Sequence, residues 1–187
     1  MTLQNYINQT LHTQVSSKKL SNESFYLFGE TFTEDWDRLL VYYTLPPCHT
    51  CTHEYTSLSF GIGSAGSGVQ WHFHGPGFSE TLHGRKHWVL YNASVHNNVV
   101  PDFDPDLNSR HWMEEVYPRL YYDDDLLLPW ECTVNAGEMI YFPNGWHHAT
   151  LNLDRYNVFV SSFTTEDEAS LRGSGGVVSG GAMMMEL

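Results

Sequence analysis

Two histidines in the stretch Trp71-His72-Phe73-His74-Gly75-Pro76-Gly77 constrain this chain more than any other feature of it. They sit two residues apart in an apolar, aromatic run. Side chains at i and i+2 of a β-strand point to the same face. His72 and His74 can therefore aim two imidazoles at one point, which is half of a metal site. A second cluster follows far downstream, Tyr141-Phe142-Pro143-Asn144-Gly145-Trp146-His147-His148. Glycine and proline there shape a turn, and His148 opens the strand that leaves it, pointing inward opposite the first two imidazoles. The expectation is a three-histidine metal tripod, set against three buried histidines hydrogen-bonded in a polar core. His147 faces the other way on a strand, which predicts a place at the surface or behind the ligands.

A tripod of this kind needs a barrel around it, and the rest of the chain reads that way. Residues 3–14 form an amphipathic helix with Leu3, Tyr6, Ile7 and Leu11 on one stripe. Phe25 to Phe28 is a short strand. Thr31 and Glu34 fit a capping box, opening a helix with Trp36, Leu39, Leu40 and Tyr43 at helical spacing that stops before Pro46-Pro47. Strands are predicted over 55–61, 69–74, 78–83, 87–91, 132–134, 139–142, 148–153 and 156–163. Between the strands predicted over 87–91 and 132–134 lies an acidic, proline-bearing insertion, 101–130, with a short helix over 111–117. Many short strands with Gly and Pro turns after a helical lead-in predict an all-β jelly roll or small barrel with flanking helices. Residues 1–165 make one domain, and 166–187, rich in Gly, Ser and Val, a disordered low-complexity tail.

Charge narrows the partners. With 9 basic and 22 acidic residues the formal charge is −13. Phosphate backbones need clustered Lys and Arg, so nucleic acid is excluded as a natural partner, and an anionic membrane surface is disfavoured. No apolar run approaches the ~20 residues of a membrane span, and the N-terminus does not read as a signal peptide. Cys48-His49-Thr50-Cys51 is read as a loop disulfide or two idle thiols. Behind that stand half a zinc site completed by His49, His53 or Cys132, and last a redox pair. Asn8, Asn22 and Asn92 head glycosylation sequons, which permit a secretory location.

Several other constellations compete with plainer readings. Gly61-Ile62-Gly63-Ser64-Ala65-Gly66 matches G-x-G-x-x-G, but a strand follows where a dinucleotide site needs a helix, so it is a loop. Glu80 is a minority candidate for a carboxylate ligand. Asp102, Asp104, Asp106 and Asp123-Asp124-Asp125 lack a calcium-loop pattern and are solvated loops. Lys86 could hold a carboxylate of a cosubstrate, or be a surface lysine between Arg85 and His87.

Gly137, then Pro143-Asn144-Gly145, His148 and Asn152 are similar, position by position, to the G-x5-P-x-G-x2-H-x3-N motif of the cupin family. The run from Phe60 through His72-Phe73-His74 and Glu80 to Gly84-Arg85-Lys86-His87-Trp88, with Glu131 to Asp154, resembles the JmjC branch of that superfamily from about Leu3 to Phe163. The resemblance implies a double-stranded β-helix, a lumenal place in the endoplasmic reticulum, and a protein substrate or protein partner. It implies Fe(II) held by H-x-D/E and a distal histidine, with 2-oxoglutarate bound by a lysine shortly after. Carried over, His72 and His148 match metal ligands and Lys86 the 2-oxoglutarate lysine. His74 falls where the carboxylate should be, and a three-histidine face suits zinc as well as iron. Val69 replaces a hydroxyl residue, and Ser79 lies where an asparagine is usual near the cosubstrate. The family also implies a leader and an N-terminal segment ahead of the residues present here. Two readings follow: an Fe(II)/2-oxoglutarate-dependent protein hydroxylase, or a non-catalytic metal-binding scaffold with a degenerate site.

Overall fold

A computed structural model describes residues 2–16, 26–31, 34–45, 57–92, 94, 104, 107–123 and 127–163. Cys48, Cys51, His49, His53, Asn22, Asp102, Asp106, Asp124, Asp125 and the tail over 166–187 lie outside these residues.

Eight strands are present among them: β1 Leu27–Glu30, β2 Ser57–Gly63, β3 Gly77–His83, β4 Arg85–Tyr91, β5 Trp130–Asn135, β6 Met139–Phe142, β7 His147–Asn152 and β8 Asn157–Phe163. They form two antiparallel sheets, ordered β1-β2-β8-β3-β6 and β5-β4-β7. From β3 onward the chain passes back and forth between the two sheets. That alternation is the double-stranded β-helix, the fold class expected from the sequence. Closing one sheet over the other hides apolar faces that a single sheet would leave in water.

The stretch 66–74 runs beside β7 as a fourth, irregular member of the small sheet. Gly66 N–H donates to Asn152 O at 2.9 Å, Thr150 N–H to Val69 O at 2.9 Å, and His148 N–H to His72 O at 2.9 Å. The regular strand predicted over 69–74 is reduced to one bridge, His72 with His148. A local reason is visible at Val69. Its N–H donates to the Thr150 hydroxyl at 3.0 Å rather than to a backbone carbonyl, so a side chain interrupts the ladder.

Alternation along β4 and β7 separates two environments. Val89, Tyr91 and Ala149 point outward with Trp71. They are buried there against Trp112, Val116 and Leu120 of a helix over 109–122. Trp71 and Trp112 meet edge to face, centroids 4.9 Å apart. Lys86, Trp88, His148 and Thr150 point inward. The large sheet is covered on its outer face by two helices, α1 over 3–16 and α2 Glu34–Leu40. Tyr6 and Leu11 of α1 pack on Leu27, and Trp36 of α2 packs on Phe60 at 5.0 Å. Leu39, expected on that stripe, is 48% exposed, whereas Leu40 beside it is half-buried. Thr31 gives its hydroxyl to Leu58 O on β2 at 2.9 Å rather than acting as the predicted cap. No helix among the described residues is long and apolar enough to cross a membrane.

Candidate metal and anion site

His72 and His74 enter from the 66–74 stretch, and His148 from β7 beside it. Their ligand atoms lie within 4.8 Å of one another. The turn before His148 is anchored to this point. Gly145, at φ +71, donates its N–H to His74 O at 2.9 Å. A residue with a Cβ is strained at that φ, which explains the glycine.

Each imidazole is oriented by the main chain. Nδ1 of His72 faces Gln70 O at 2.7 Å, Nδ1 of His74 faces Gly75 O at 2.7 Å, and Nδ1 of His148 faces Trp146 O at 2.8 Å. A carbonyl only accepts, so each Nδ1 carries the proton and donates it. In a neutral ring that leaves the Nε2 lone pair for the centre of the cluster. The rings are held neutral. His72 is lowered to about 4, first by burial and then by its histidine neighbours; burial likewise pushes His74 down and His148 well down. Three neutral imidazoles converging on one point fit a zinc or iron(II) ion. No carboxylate joins them among the described residues.

The same cavity continues from the histidines to Lys86. Lys86 is 1% exposed, and its Nζ has no hydrogen-bond partner among the described residues. Burial pushes its pKa well below the ordinary lysine value. Nζ sits 3.3 Å from the centroid of Phe159 and 5.9 Å from that of Trp88. Thr150 and Ser161 add hydroxyls to the cavity wall, and no acidic side chain among the described residues lines it. A buried ammonium without a counter-ion is costly, and an entering carboxylate would relieve that cost.

The other sequence candidates separate clearly. Ser79 is buried one layer back: the Ser161 hydroxyl, which lines the cavity, donates to Ser79 Oγ at 2.9 Å. Glu80 lies on the outer side of β3 and accepts the Tyr43 hydroxyl at 2.9 Å, so it is no member of the histidine cluster. His147 does face away from His148. It is buried rather than at the surface, 5% exposed with its ring 4.7 Å from Phe73, because the outer face of β7 is roofed over by other parts of the chain. Gly61 to Gly66 is a strand end and turn with Ser67 Oγ donating to Ser64 O at 2.7 Å. Thr150, Ser161, Phe28 and Phe159 are cavity residues that sequence reasoning missed. The alternation from His148 to Thr150, and from Phe159 to Ser161 to Phe163, is the signal that could have found most of them.

A family model described as a cupin-like domain matches residues 1–167. The chain belongs to the cupin-like family. Among curated proteins it is similar to JmjC domain-containing protein 8 of Rattus norvegicus, 44% identical over 162 residues, which covers 86% of this chain and 56% of that protein. The chain thus spans just over half the length of that relative. It is also similar to lysine-specific demethylase JMJ21 of Arabidopsis thaliana, 32% identical over 76% of this chain and 15% of that protein. The 2-oxoglutarate and iron-dependent oxygenase JMJD4 of Homo sapiens is 34% identical over 49% of this chain and 23% of that protein. This cupin-like domain is therefore related to iron and 2-oxoglutarate oxygenases and to demethylases. Among solved structures it resembles a variant of Bacillus subtilis oxalate decarboxylase, with a TM-score of 0.41, 14% identity, and coverage of 63% of this chain and 24% of that one.

Proposed function

We propose that this cupin-like domain binds a divalent metal on His72, His74 and His148 and a 2-oxo dicarboxylate, 2-oxoglutarate, against Lys86, as the core of an oxygenase acting on a protein side chain. One observation carries the reading: a buried lysine with no counter-ion among the described residues opens into the same cavity as three Nε2 lone pairs. An iron(II) ion in such a site supplies the oxygen chemistry, with 2-oxoglutarate as the reductant. The chain's own contribution is positioning. Three backbone carbonyls fix the imidazoles, Lys86 and the Thr150 hydroxyl take the distal carboxylate, and the apolar walls exclude water.

The second reading is a metal-binding scaffold without turnover. What favours it is His74. A carboxylate at that place would offset one charge of the metal, and a neutral imidazole does not, which suits zinc as well as iron. The compartment we propose is the lumen of the endoplasmic reticulum, which the exposed sequon residues Asn8 and Asn92 are compatible with.

Anaerobic titration with Fe(II) and then 2-oxoglutarate tests the two readings together. A visible charge-transfer band that is lost in Lys86→Ala supports the oxygenase. Folded protein that retains stoichiometric zinc and gives no band supports the scaffold.

A further inference from the structure

Phe28, Gly61 and Phe159 are cross-strand neighbours on β1, β2 and β8: Phe28 pairs with Gly61, and Gly61 pairs with Phe159. The middle position has no side chain. The two rings lean across that gap and stack, with centroids 5.6 Å apart and planes 24° apart. A Cβ built on Gly61 would overlap atoms of the Phe159 ring. The ring therefore lies down over the Gly61 backbone instead of standing edge-on from the sheet, and it turns its face to the interior. Nζ of Lys86 rests 3.3 Å from the centre of that ring. The negative face of an aromatic ring attracts an ammonium, and the Phe159 ring is closer to Nζ than that of Trp88, at 5.9 Å.

We infer that Phe159, laid flat by Gly61 and backed by Phe28, is the positioning residue of the anion end of the cavity, holding the Lys86 ammonium aimed at the incoming carboxylate. This rests on the reading that the cavity takes a small dianion. Phe159 keeps the charged head in place while the cavity is empty and forms a dry floor beneath the ion pair, where attraction is stronger than in water. Phe28 lies on β1, at the edge of the large sheet. The first strand of the barrel thereby takes part in the site.

The test uses the full chain loaded with zinc and titrated with 2-oxoglutarate, followed by the fluorescence of Trp88 and its neighbours and by calorimetry, from neutral to alkaline pH. Lys86 is the cation required. The other titratable groups facing the cavity are His72, His74 and His148, neutral throughout this range; β1, β2 and β8 present none to it. Phe159→Leu is expected to weaken 2-oxoglutarate binding about tenfold and to move the alkaline limit of binding to lower pH, since the charged lysine loses its ring. Phe159→Tyr is expected to restore both. Gly61→Ala, which lifts the ring, is expected to act in the same direction as Phe159→Leu and serves if that variant does not fold. If folded Phe159→Leu or Gly61→Ala binds with the affinity and pH limit of the parent, the positioning role is overturned while the dianion reading stands. If the parent shows no 2-oxoglutarate binding at all, the dianion reading falls and this inference falls with it.

Discussion

At the histidine end of the cavity every imidazole gives its Nδ1 proton to a backbone carbonyl, whereas at the lysine end Nζ of Lys86 has an aromatic ring and, among the described residues, no acceptor. The first end is complete as an acceptor of a cation: rings oriented, neutral, lone pairs inward. The second end lacks a hydrogen bond among the described residues, and the proposed anion would supply one. His148 and Lys86 are both buried, with His72 and His74 half-buried, so burial alone does not distinguish the ends. The difference lies in what satisfies the polar atom, and it teaches that one cavity can be preorganised in two senses. One end is fixed by hydrogen bonds already made, and the other is held ready by a hydrogen bond left unmade. His74 belongs to the first sense. A carboxylate there would have brought charge compensation into the protein; in the proposed complex that task falls to the ligand.

The largest effect that would sharpen this contrast is at His148. Its replacement by alanine should lower zinc affinity on the order of 100-fold or more, read by competition with a chromophoric chelator. Binding of 2-oxoglutarate to metal-free protein should change little. Equal loss of both would break the division into two ends.

Lys86→Met should separate stability from binding. Removing the unpartnered ammonium is expected to raise stability in urea by roughly 1 kcal/mol or more, while affinity for 2-oxoglutarate falls at least about tenfold. A less stable variant would show that the ammonium is satisfied in the empty protein.

The histidine end also predicts a pH response in metal-stripped protein. His72 is lowered from 6.5 to about 4, and His74 and His148 are lowered as well, chiefly by burial. Below pH 6.5 the unfolded chain therefore binds protons that the folded chain refuses. Stability should be full above that pH and decline as the pH falls toward 4. Urea midpoints on either side of the ordinary histidine pKa check this, and equal midpoints would show that the imidazoles are not desolvated. The smallest effect expected is at Gly145→Ala. Strain at φ +71 should cost roughly 1 kcal/mol and weaken metal binding only a few-fold through the His74 carbonyl contact.

Much of the fold was legible because alternation and turn residues are local signals. The strand over 139–142 was predicted at its observed limits, and most of the others within a few residues. What escaped were features decided by neighbours distant in sequence. Thr31 is drawn to Leu58 O, Val69 is diverted to the Thr150 hydroxyl, and His147 is buried where an odd position on a surface strand should meet water. Ser79 was nominated for the cavity, and Ser161, one layer nearer, lines it.

By itself the sequence determined that His72 and His74 share one side of the chain, that a glycine turn delivers His148, and that no acidic residue follows His72 at the spacing of a carboxylate ligand. Those are properties of short segments, set by the period of a strand and the conformations open to glycine. Only the tertiary structure decided that three carbonyls turn the imidazoles inward, and that Lys86 is a buried rather than a surface lysine. It also decided that the face of Phe159 lies beneath its Nζ. Each of these depends on which strand lies beside which. Lys86 is buried because β4 sits between β5 and β7 in a closed barrel, and Phe159 lies flat because Gly61, far earlier in the chain, is its partner across the sheet.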